Sequence, residues 1–220
     1  LSKAKFSAEM ERSLGLGAMG FHAYLQRHNV PFESAIAKSH NARMFKHIKS
    51  EAVDATKTLA VERGEAPDAV GQGVRNVHLL AVAPNASSSI ICGNTSPSIE
   101  PYRANAFTQK TKSGSSLLKN EYLEHILQEL GEDTDEVWKS IITNNGSVQH
   151  LDFLDDWTKD VFRTAVEIDQ RWVIEMAADR QEQICQSQSL NIFFPANVSK
   201  QELHAIHMMA WKKKVKTLYY

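Results

Sequence analysis

A short apolar run that opens into a serine-rich loop constrains the fold of this chain more than any other feature. Residues 78–83 are His-Leu-Leu-Ala-Val-Ala, and Pro84 follows them. Because the run is too short for a helix and proline ends it, it predicts a buried strand. A buried strand needs neighbouring strands and a covering layer, so we expect a fold that contains a sheet.

Three consecutive serines, Ser87, Ser88 and Ser89, lie in the loop that follows this predicted strand. Successive backbone N–H groups at such a turn, together with hydroxyl donors, can form a pocket for phosphate without a positive charge. The residue types alone favour a plainer interpretation, in which the loop caps the next element and binds only water. The serines therefore indicate an anion site only when a second feature supports them.

The wider stretch around the serines is similar to a known protein family. Residues 73–89, with Asn94, Thr95 and residues 99–101, resemble the substrate-phosphate loop of the large subunit of class I ribonucleotide reductases, particularly the bacterial and phage type. Residues 216–220 resemble the paired-tyrosine motif of the same family, at the expected end of the chain order. Two motifs in the right order are harder to obtain by chance than either alone.

The resemblance covers residues 12–220, nearly the whole chain, and implies an α/β fold. In that family the large subunit contains a ten-stranded α/β barrel. This chain resembles its C-terminal half, with mainly parallel strands, helical crossovers and a short hairpin. We therefore expect residues 1–220 to form a single partial domain. The chain begins without Met and ends on two tyrosines, so we also expect a fragment of a longer protein.

The resemblance also implies which residues carry function. Radical transfer would fall to the catalytic pair Tyr219 and Tyr220. The substrate phosphates would be held by one loop, whose residues are Pro84, Asn85, Ala86, Ser87 and Ser88. Some relatives have an acidic residue in place of Ala86. The resemblance therefore leaves open whether the side chain at position 86 contacts the substrate. Many relatives have Gly in place of Lys214, which leaves open the backbone turn before the final strand.

The implied activity is that of a ribonucleoside-diphosphate reductase, which makes deoxyribonucleotides for DNA synthesis. The chemistry uses a cysteine thiyl radical that a metal-containing small subunit generates over a long distance, and a dithiol reductant supplies the electrons. We expect no cofactor and no metal to be bound in this chain. The expected partners are a ribonucleoside diphosphate, the small subunit and, for the full-length large subunit, a second copy in a homodimer.

The two cysteines, Cys92 and Cys185, match none of the family's catalytic positions. The radical cysteine and the reducing cysteines belong to segments that precede Leu1 or follow Tyr220, so we expect the isolated chain to be inactive as a reductase. The two cysteines also match no zinc or redox spacing, a pattern typical of a reducing compartment. This pattern predicts a cytoplasmic protein.

Two other classes of function stay open. One is a non-catalytic module that binds a nucleotide or phosphate, because the chain carries no recognisable set of acid, base and nucleophile. The other is a fragment of a cobalamin-dependent, class II reductase, which shares the barrel and a phosphate loop but makes its radical locally. Tyr219 and Tyr220 argue against both, since neither class needs a tyrosine pair.

Charge and hydropathy exclude two kinds of partner. The formal net charge is -1, which gives no electrostatic case for nucleic acid or an anionic membrane. No apolar run approaches the length that crosses a bilayer. The basic residues Arg103, Lys110 and Lys112 lie close to the loop in sequence and could help to hold a diphosphate, although such side chains usually face solvent.

Periodicity predicts the other elements. A glycine pattern at residues 15–20 matches the dinucleotide-binding fingerprint, but no strand precedes it, so we expect small residues that allow close helix packing. Further strands are predicted at residues 187–194 and 215–220, and either a short hairpin or a strand and loop at 102–118. Helices are predicted at residues 7–29, 32–63, 117–130, 135–142, 155–186 and 199–212.

Overall fold

The structure is a computed structural model that describes residues 1–112 and 114–218 of the 220-residue chain. A 3-10 turn spans Pro67–Ala69, and the antiparallel strands β1 (Ala106–Thr111) and β2 (Gly114–Lys119) form a hairpin. The α-helices are α1 (Ser2–Glu11), α2 (Phe21–Arg27), α3 (Ala35–Arg63), α4 (Ser88–Ile91), α5 (Glu121–Leu130), α6 (Asp135–Thr143), α7 (Asp156–Val161), α8 (Gln170–Gln181) and α9 (Lys200–Lys212).

Three extended segments, which contain Leu16, residues 78–83 and Gln188, run side by side through the larger part of the molecule. Leu16 pairs with Leu80, and Val82 pairs with Gln188, both as isolated parallel bridges. The segment at residues 78–83 is buried at Leu80, as its apolar run predicts, but it is not a regular strand. Within residues 1–112 and 114–218, the only regular sheet is the antiparallel hairpin. Parallel pairing is therefore present, but only as single bridges.

Helices cover these extended segments and close the main core. Helix α3 packs against α8, and α8 packs against α9. The buried cation Arg180 on α8 donates to the side-chain oxygens of Asn41 at 2.7 Å and Gln188 at 3.0 Å, which ties α3, α8 and the third segment together. The apolar residues of the main core include Phe21, Leu25, Phe32, Phe45, Leu80, Val82, Ile99, Ile174, Met176, Leu190 and Ile206.

A second, separate core belongs to what we call the helical lobe, residues 105–162. The lobe contains the hairpin and helices α5, α6 and α7. Its apolar side chains come from one face of each helix, as expected for amphipathic helices that cover a small core. The buried residues of the lobe are Ala106, Leu123, Leu127, Trp138, Ile141, Val148, Leu151, Leu154, Val161 and Phe162.

The helix predicted for residues 7–29 is wrong, because an extended segment divides it into α1 and α2. Arg12 ends α1 in the left-handed region with φ 50°. Residues 14–16 then donate and accept backbone hydrogen bonds with residues 78–81. A Cβ on Gly17 would lie 2.6 Å from the carbonyl oxygen of Ala81, so glycine permits this close approach. The small residues do allow close packing, but between extended segments rather than between helices.

The long helix predicted for residues 155–186 is also wrong, because side chains cap the backbone between α7 and α8. The carboxylate of Glu167 accepts the backbone N–H of Thr164 at 2.7 Å and its hydroxyl at 2.8 Å. Asp169 accepts the backbone N–H of Arg171 at 2.9 Å and starts α8. The apolar periodicity continues through this break, which is why it predicts one helix.

Other predicted elements fit the structure at their capping residues. Thr134 starts α6, and Ser199 starts α9 by accepting the backbone N–H of Glu202 at 3.1 Å. The hairpin is confirmed, but Leu117 pairs with Thr108 inside it, so α5 begins at Glu121 rather than at residue 117. Residues 187–194 lack a regular strand, apart from the single bridge at Gln188.

The chain turns after α9 at the position whose backbone conformation the sequence analysis leaves open. Lys214 has φ 60°, in the left-handed region that glycine adopts readily and other residues seldom do. A glycine at this position therefore suits the turn, and lysine adopts the same conformation here. The strand predicted for residues 215–220 is absent over residues 215–218, and its last two residues lie outside the described part.

Candidate functional site

The serine loop, which we define as residues 84–95, folds tightly on itself. Asn85 has φ 50°, and its carbonyl oxygen accepts the backbone N–H of Ser89 at 3.1 Å. The Ser89 hydroxyl donates to the carbonyl oxygen of Ala86 at 3.1 Å, and Ser89 is buried. Ser87 and Ser88 are exposed. The three serines therefore separate into one structural residue and two that face solvent.

The exposed side of the serine loop carries unused hydrogen-bond donors. In the part of the chain that the structure describes, the backbone N–H groups of Ala86, Ser87 and Ser88 donate to no protein acceptor. The hydroxyls of Ser87 and Ser88 also have no protein partner there. Up to five donors are thus free on one short stretch. Such a group can bind the oxygens of an anion through hydrogen bonds alone.

The far end of the loop is held by the hairpin and by an aromatic residue. The backbone N–H of Asn94 donates to the carbonyl oxygen of Ile90 at 3.1 Å, which closes the end of α4. The Asn94 amide donates to the carbonyl oxygen of Lys119 at 3.0 Å, and the phenol of Tyr102 donates to the carbonyl oxygen of Asn94 at 3.1 Å. Asn94 therefore joins the loop to β2 and to Tyr102.

The segment after the loop is fastened to the start of α2. The backbone N–H of Gly20 donates to the carbonyl oxygen of Ser96 at 3.0 Å, and that of Ala23 donates to the Ser96 hydroxyl at 3.1 Å. The Nδ1 atom of His22 accepts the backbone N–H of Tyr102 at 2.9 Å. A Cβ on Gly20 would lie 2.7 Å from the Thr95 hydroxyl, which shows how closely the two segments approach.

His22 and Tyr102, which lie behind the loop, are uncharged at neutral pH. Burial lowers the pKa of His22 to about 3, so its ring is neutral and accepts with Nδ1. Burial raises the pKa of the Tyr102 phenol, which keeps its proton for Asn94. Burial also raises the pKa of Glu100, whose carboxylate accepts the backbone N–H of Asn191 at 3.3 Å. The loop is thus oriented by neutral hydrogen bonds rather than by ion pairs.

A mainly apolar pocket of about 310 Å³ lies between the serine loop and the hairpin. Ala86, Ser89 and Ile90 of the loop line this pocket, together with Tyr102 and Phe107. Arg103 lines the pocket edge, with its guanidinium 5.4 Å from the ring centre of Phe193. Of the three basic residues singled out in the sequence, only Arg103 lies at this pocket.

Other residues singled out by the sequence fall elsewhere. Tyr219 and Tyr220 lie outside the described residues. Cys92 is exposed, and Cys185 is partly buried with its Sγ 3.4 Å from the Lys49 ammonium; both are free cysteines. Among the residues with described positions, no three His, Cys, Asp or Glu side chains are grouped so as to hold a metal ion. No helix in residues 1–112 or 114–218 has the length and hydropathy to span a bilayer.

Sequence reasoning missed two residues that shape this site, His22 and Tyr102. His22 has one polar neighbour a helical turn away, Gln26, whose amide nitrogen lies 3.5 Å from the His22 Nε2 atom, but a single His–Gln pair at this spacing does not mark a site. Tyr102 directly follows the motif at residues 99–101, and that adjacency is the one signal that could have drawn attention to it. The structure brings both behind the predicted phosphate loop.

Comparison with known proteins gives a consistent family. The family described as "Ribonucleotide reductase, barrel domain" matches residues 1–72 and 66–220 of this chain. The ribonucleoside-diphosphate reductase large subunit of Invertebrate iridescent virus 6 is 50% identical over 224 residues. The large subunit of Invertebrate iridescent virus 3 is 48% identical over 223 residues. Each match covers 100% of this chain, but only 23% and 35% of the respective relatives.

A solved structure supports the same assignment at the level of the fold. The Actinobacillus ureae class Id ribonucleotide reductase alpha subunit superposes with a TM-score of 0.90 and 41% sequence identity. The match covers 97% of this chain and 39% of that protein. These comparisons support an α/β fold, and the chain spans well under half the length of the relatives it matches.

Proposed function

This chain belongs to the family of ribonucleotide reductase barrel domains, and on that basis we propose that it holds the substrate phosphates in a ribonucleoside-diphosphate reductase large subunit. The observation that carries the proposal is the set of unused donors on Ala86, Ser87 and Ser88. These donors lie within the loop that resembles the family's phosphate loop, formed by Pro84, Asn85, Ala86, Ser87 and Ser88.

The loop would bind phosphate mainly through hydrogen bonds, with Arg103 as the basic residue that lines the adjoining pocket. The hydroxyls of Ser87 and Ser88 and the neighbouring N–H groups would donate to non-bridging oxygens. Two charge-assisted bonds contribute roughly 3 to 6 kcal/mol before entropic losses. After those losses, the isolated chain should bind phosphate with a dissociation constant of about 1 mM or weaker.

A phosphate titration followed by amide chemical shifts tests this loop. In the wild-type chain, the largest shifts on adding inorganic phosphate or a nucleoside diphosphate should fall between residues 83 and 90. The double variant Ser87→Ala/Ser88→Ala should bind at least tenfold more weakly, because two donors are lost. The matched control Ser115→Ala/Ser116→Ala replaces two exposed serines on β2 and should bind like wild type. Shifts centred elsewhere would refute the assignment.

The reductase reaction itself belongs to the longer protein. The cysteines that carry the radical and the reducing equivalents in this family lie in segments outside residues 1–220, so the isolated chain should yield no deoxynucleotide. A metal-containing small subunit would supply the radical, and a dithiol reductant the electrons. Detectable deoxynucleotide product from the purified chain, supplied with small subunit and reductant, would contradict this part of the proposal.

Radical transfer would pass through Tyr219 and Tyr220, the pair that resembles the family motif. A phenol can be oxidised only when its proton has an acceptor, and phenylalanine keeps the shape without the oxidisable group. In the full-length protein, Tyr219→Phe or Tyr220→Phe should abolish turnover while substrate binding is retained. The control Tyr24→Phe should keep turnover, since the hydrogen-bond partner of that phenol is His40 on α3. Wild-type turnover in the pair variants would favour a class II fragment or a binding module.

We also propose that the three extended segments belong to a larger ten-stranded barrel, of which residues 1–220 form the C-terminal half. The parallel bridges Leu16–Leu80 and Val82–Gln188 support this arrangement. Leu14 and Leu16 are each 52% exposed beside those bridges, which leaves apolar surface for further strands. In the full-length protein, which we expect to dimerise and bind the small subunit, amides of residues 14–16 should gain protection from hydrogen exchange. Unchanged exchange there would refute the half-barrel.

A further inference from the structure

The serine loop cannot fix its own orientation. Helix α4 has four residues, about one helical turn, and such a short helix is not stable without outside contacts. Its exposed end carries Ser87 and Ser88, so those donors point in a defined direction only if the other end is held. Whatever holds that other end therefore controls the proposed phosphate site.

The other end of α4 is held by the Asn94 amide, by the Thr95 N–H, which donates to the Ser89 carbonyl oxygen at 3.1 Å, and by one backbone carbonyl that reaches Tyr102. Asn94, which follows α4, has φ 56°, and its N–H bonds the carbonyl oxygen of Ile90 at 3.1 Å. The carbonyl oxygen of the same residue accepts the phenol of Tyr102 at 3.1 Å. Tyr102 is 6% exposed, so water does not readily replace this bond. Tyr102 is the only side-chain donor to that carbonyl among the described residues.

Tyr102 is in turn fixed from its backbone by a fully buried histidine. His22 is 0% exposed, and its Nδ1 accepts the Tyr102 N–H at 2.9 Å. The two rings also contact each other, with their centres 5.7 Å apart. The contacts form a continuous path from His22 through Tyr102 and Asn94 to α4. No member of this path contacts the exposed donors of Ser87 and Ser88 directly.

We propose that Tyr102 is a positioning residue for the phosphate loop, anchored by His22 and acting through the carbonyl oxygen of Asn94. The inference rests on the proposed phosphate function of that loop. Without the phenol, α4 samples several orientations, and only a fraction of molecules present the donors together. The apparent dissociation constant rises by the inverse of that fraction, although no phosphate contact is removed.

The first test needs no ligand. Tyr102→Phe removes only the hydroxyl, and Tyr24→Phe removes a comparable partly buried phenol from α2 as the control. In the free chain, Tyr102→Phe should shift or broaden the amide resonances of residues 86–91, while Tyr24→Phe should leave them in place. If Tyr102→Phe leaves these resonances unchanged, the phenol does not position the loop, whether or not the loop binds phosphate.

The second test adds inorganic phosphate at a temperature where every variant is folded by circular dichroism. Tyr102→Phe should weaken binding by about threefold to tenfold, as expected for the loss of one neutral hydrogen bond that selects the competent state. Equal affinity in wild type and Tyr102→Phe would overturn the inference. Absence of binding at the loop in wild type would refute the phosphate function instead, and the ligand-free test would still decide the positioning role.

A second variant separates positioning from general stability. Asn94→Ala removes the amide that bonds the Lys119 carbonyl and leaves the carbonyl that Tyr102 contacts. Both bonds are expected to hold the same element, α4. The dissociation constant for phosphate in the double variant Asn94→Ala/Tyr102→Phe should therefore rise by a smaller factor than the two single-variant factors multiplied together. In the full-length reductase, Tyr102→Phe should raise KM for the nucleotide at least threefold with kcat within twofold. A fall in kcat with unchanged KM would contradict the positioning role.

Discussion

The main core and the helical lobe are built on different principles. Helices α5 and α6 of the lobe each bury one apolar face, and most of their partners lie within about 50 residues along the chain. The main core instead joins segments that are far apart in sequence, such as Leu16 with Leu80 and Val82 with Gln188. Local patterns therefore describe the lobe well, whereas the main core depends on partners that no local pattern specifies.

The same contrast separates the surfaces of the two regions. Apolar side chains at the extended segments of the main core remain exposed, as Leu14 and Leu16 illustrate. Helix α1 beside them has no buried residue. The lobe, by comparison, encloses Trp138 almost completely, at 1% exposure. The lobe thus encloses its central aromatic residue, although Leu130 and Trp157 at its surface are 51% and 49% exposed.

The largest expected effect comes from opening the core of the lobe. Trp138→Ala should reduce the free energy of unfolding by about 3 to 5 kcal/mol, because a buried ring is replaced by a cavity. The variant also removes the indole N–H bond to Asp133 at 2.6 Å and the Lys119 ammonium contact at 4.7 Å. Urea unfolding measures the loss. The control Trp211→Ala, at 72% exposure, should change the free energy by less than about 0.5 kcal/mol.

Hydrogen exchange on the same variant tests whether the helical lobe and the main core unfold separately. Trp138→Ala should reduce the protection of amides in residues 121–143 more than that of amides in α3 and α8. An equal loss of protection in both regions would show that the lobe and the main core unfold as one unit.

A smaller effect is expected from acid, through the histidine that joins the two regions. The Nδ1 of His22 on α2 accepts the backbone N–H of Tyr102 beside the main core, and its Nε2 lies 3.5 Å from the Gln26 amide, which donates to the Val161 carbonyl oxygen of the lobe. The pKa of His22 is lowered from 6.5 to about 3, so the unfolded chain binds this proton first. The stability it contributes is therefore complete above pH 6.5 and falls as the pH drops toward 3. At pH 4 the loss from this group should be roughly 3 kcal/mol.

The variant His22→Gln isolates that contribution from the other titrating groups. Urea unfolding at pH 7 and pH 4 should show a stability loss that is larger in wild type than in the variant by the amount attributed to His22. The same pH dependence in wild type and His22→Gln would contradict the assignment.

The smallest expected effect compares matched helix caps in the two regions. Thr134 accepts the backbone N–H of Val137 at 3.3 Å in the lobe, and Ser199 accepts that of Glu202 at 3.1 Å beside the main core. Replacing either by Ala should reduce the free energy of unfolding by about 1 kcal/mol. Exchange rates should change mainly in α6 for Thr134→Ala and mainly in α9 for Ser199→Ala. Identical patterns for both variants would remove the distinction between the regions.

The sequence predicts those elements whose signals are local. Thr134 and Ser199 cap helices through their own side chains, and the hairpin is formed by neighbouring residues. The corresponding elements therefore lie where they are expected. The segment at residues 12–20 has helical apolar spacing, yet hydrogen bonds from residues 78–81 hold it extended. Residues 78–81 lie far from this segment in sequence, so an apolar pattern that spans one or two helical turns does not detect them.

The residues of the candidate site also fall into those with a local sequence signal and those that depend on distant partners. The serine loop becomes a candidate phosphate site because its resemblance to a family motif extends over many consecutive residues, and that role stays a prediction. His22 could not be predicted, because its importance comes from complete burial and from a bond to Tyr102, which is 80 residues away. Hydrogen bonds that span such distances depend on the finished fold rather than on neighbouring residues.

The bridge between Val82 and Gln188 has a consequence for the chain during its synthesis. About a hundred residues must be added after the serine loop emerges before its supporting segment exists. At roughly 5 to 20 residues per second, this interval lasts on the order of 5 to 20 seconds. The lobe, made from the intervening residues, can fold in that time. During this interval the apolar residues before the loop, which include Val82, lack their bridge partner Gln188 while the chain is still attached to the ribosome. A chaperone has time to bind them in that state.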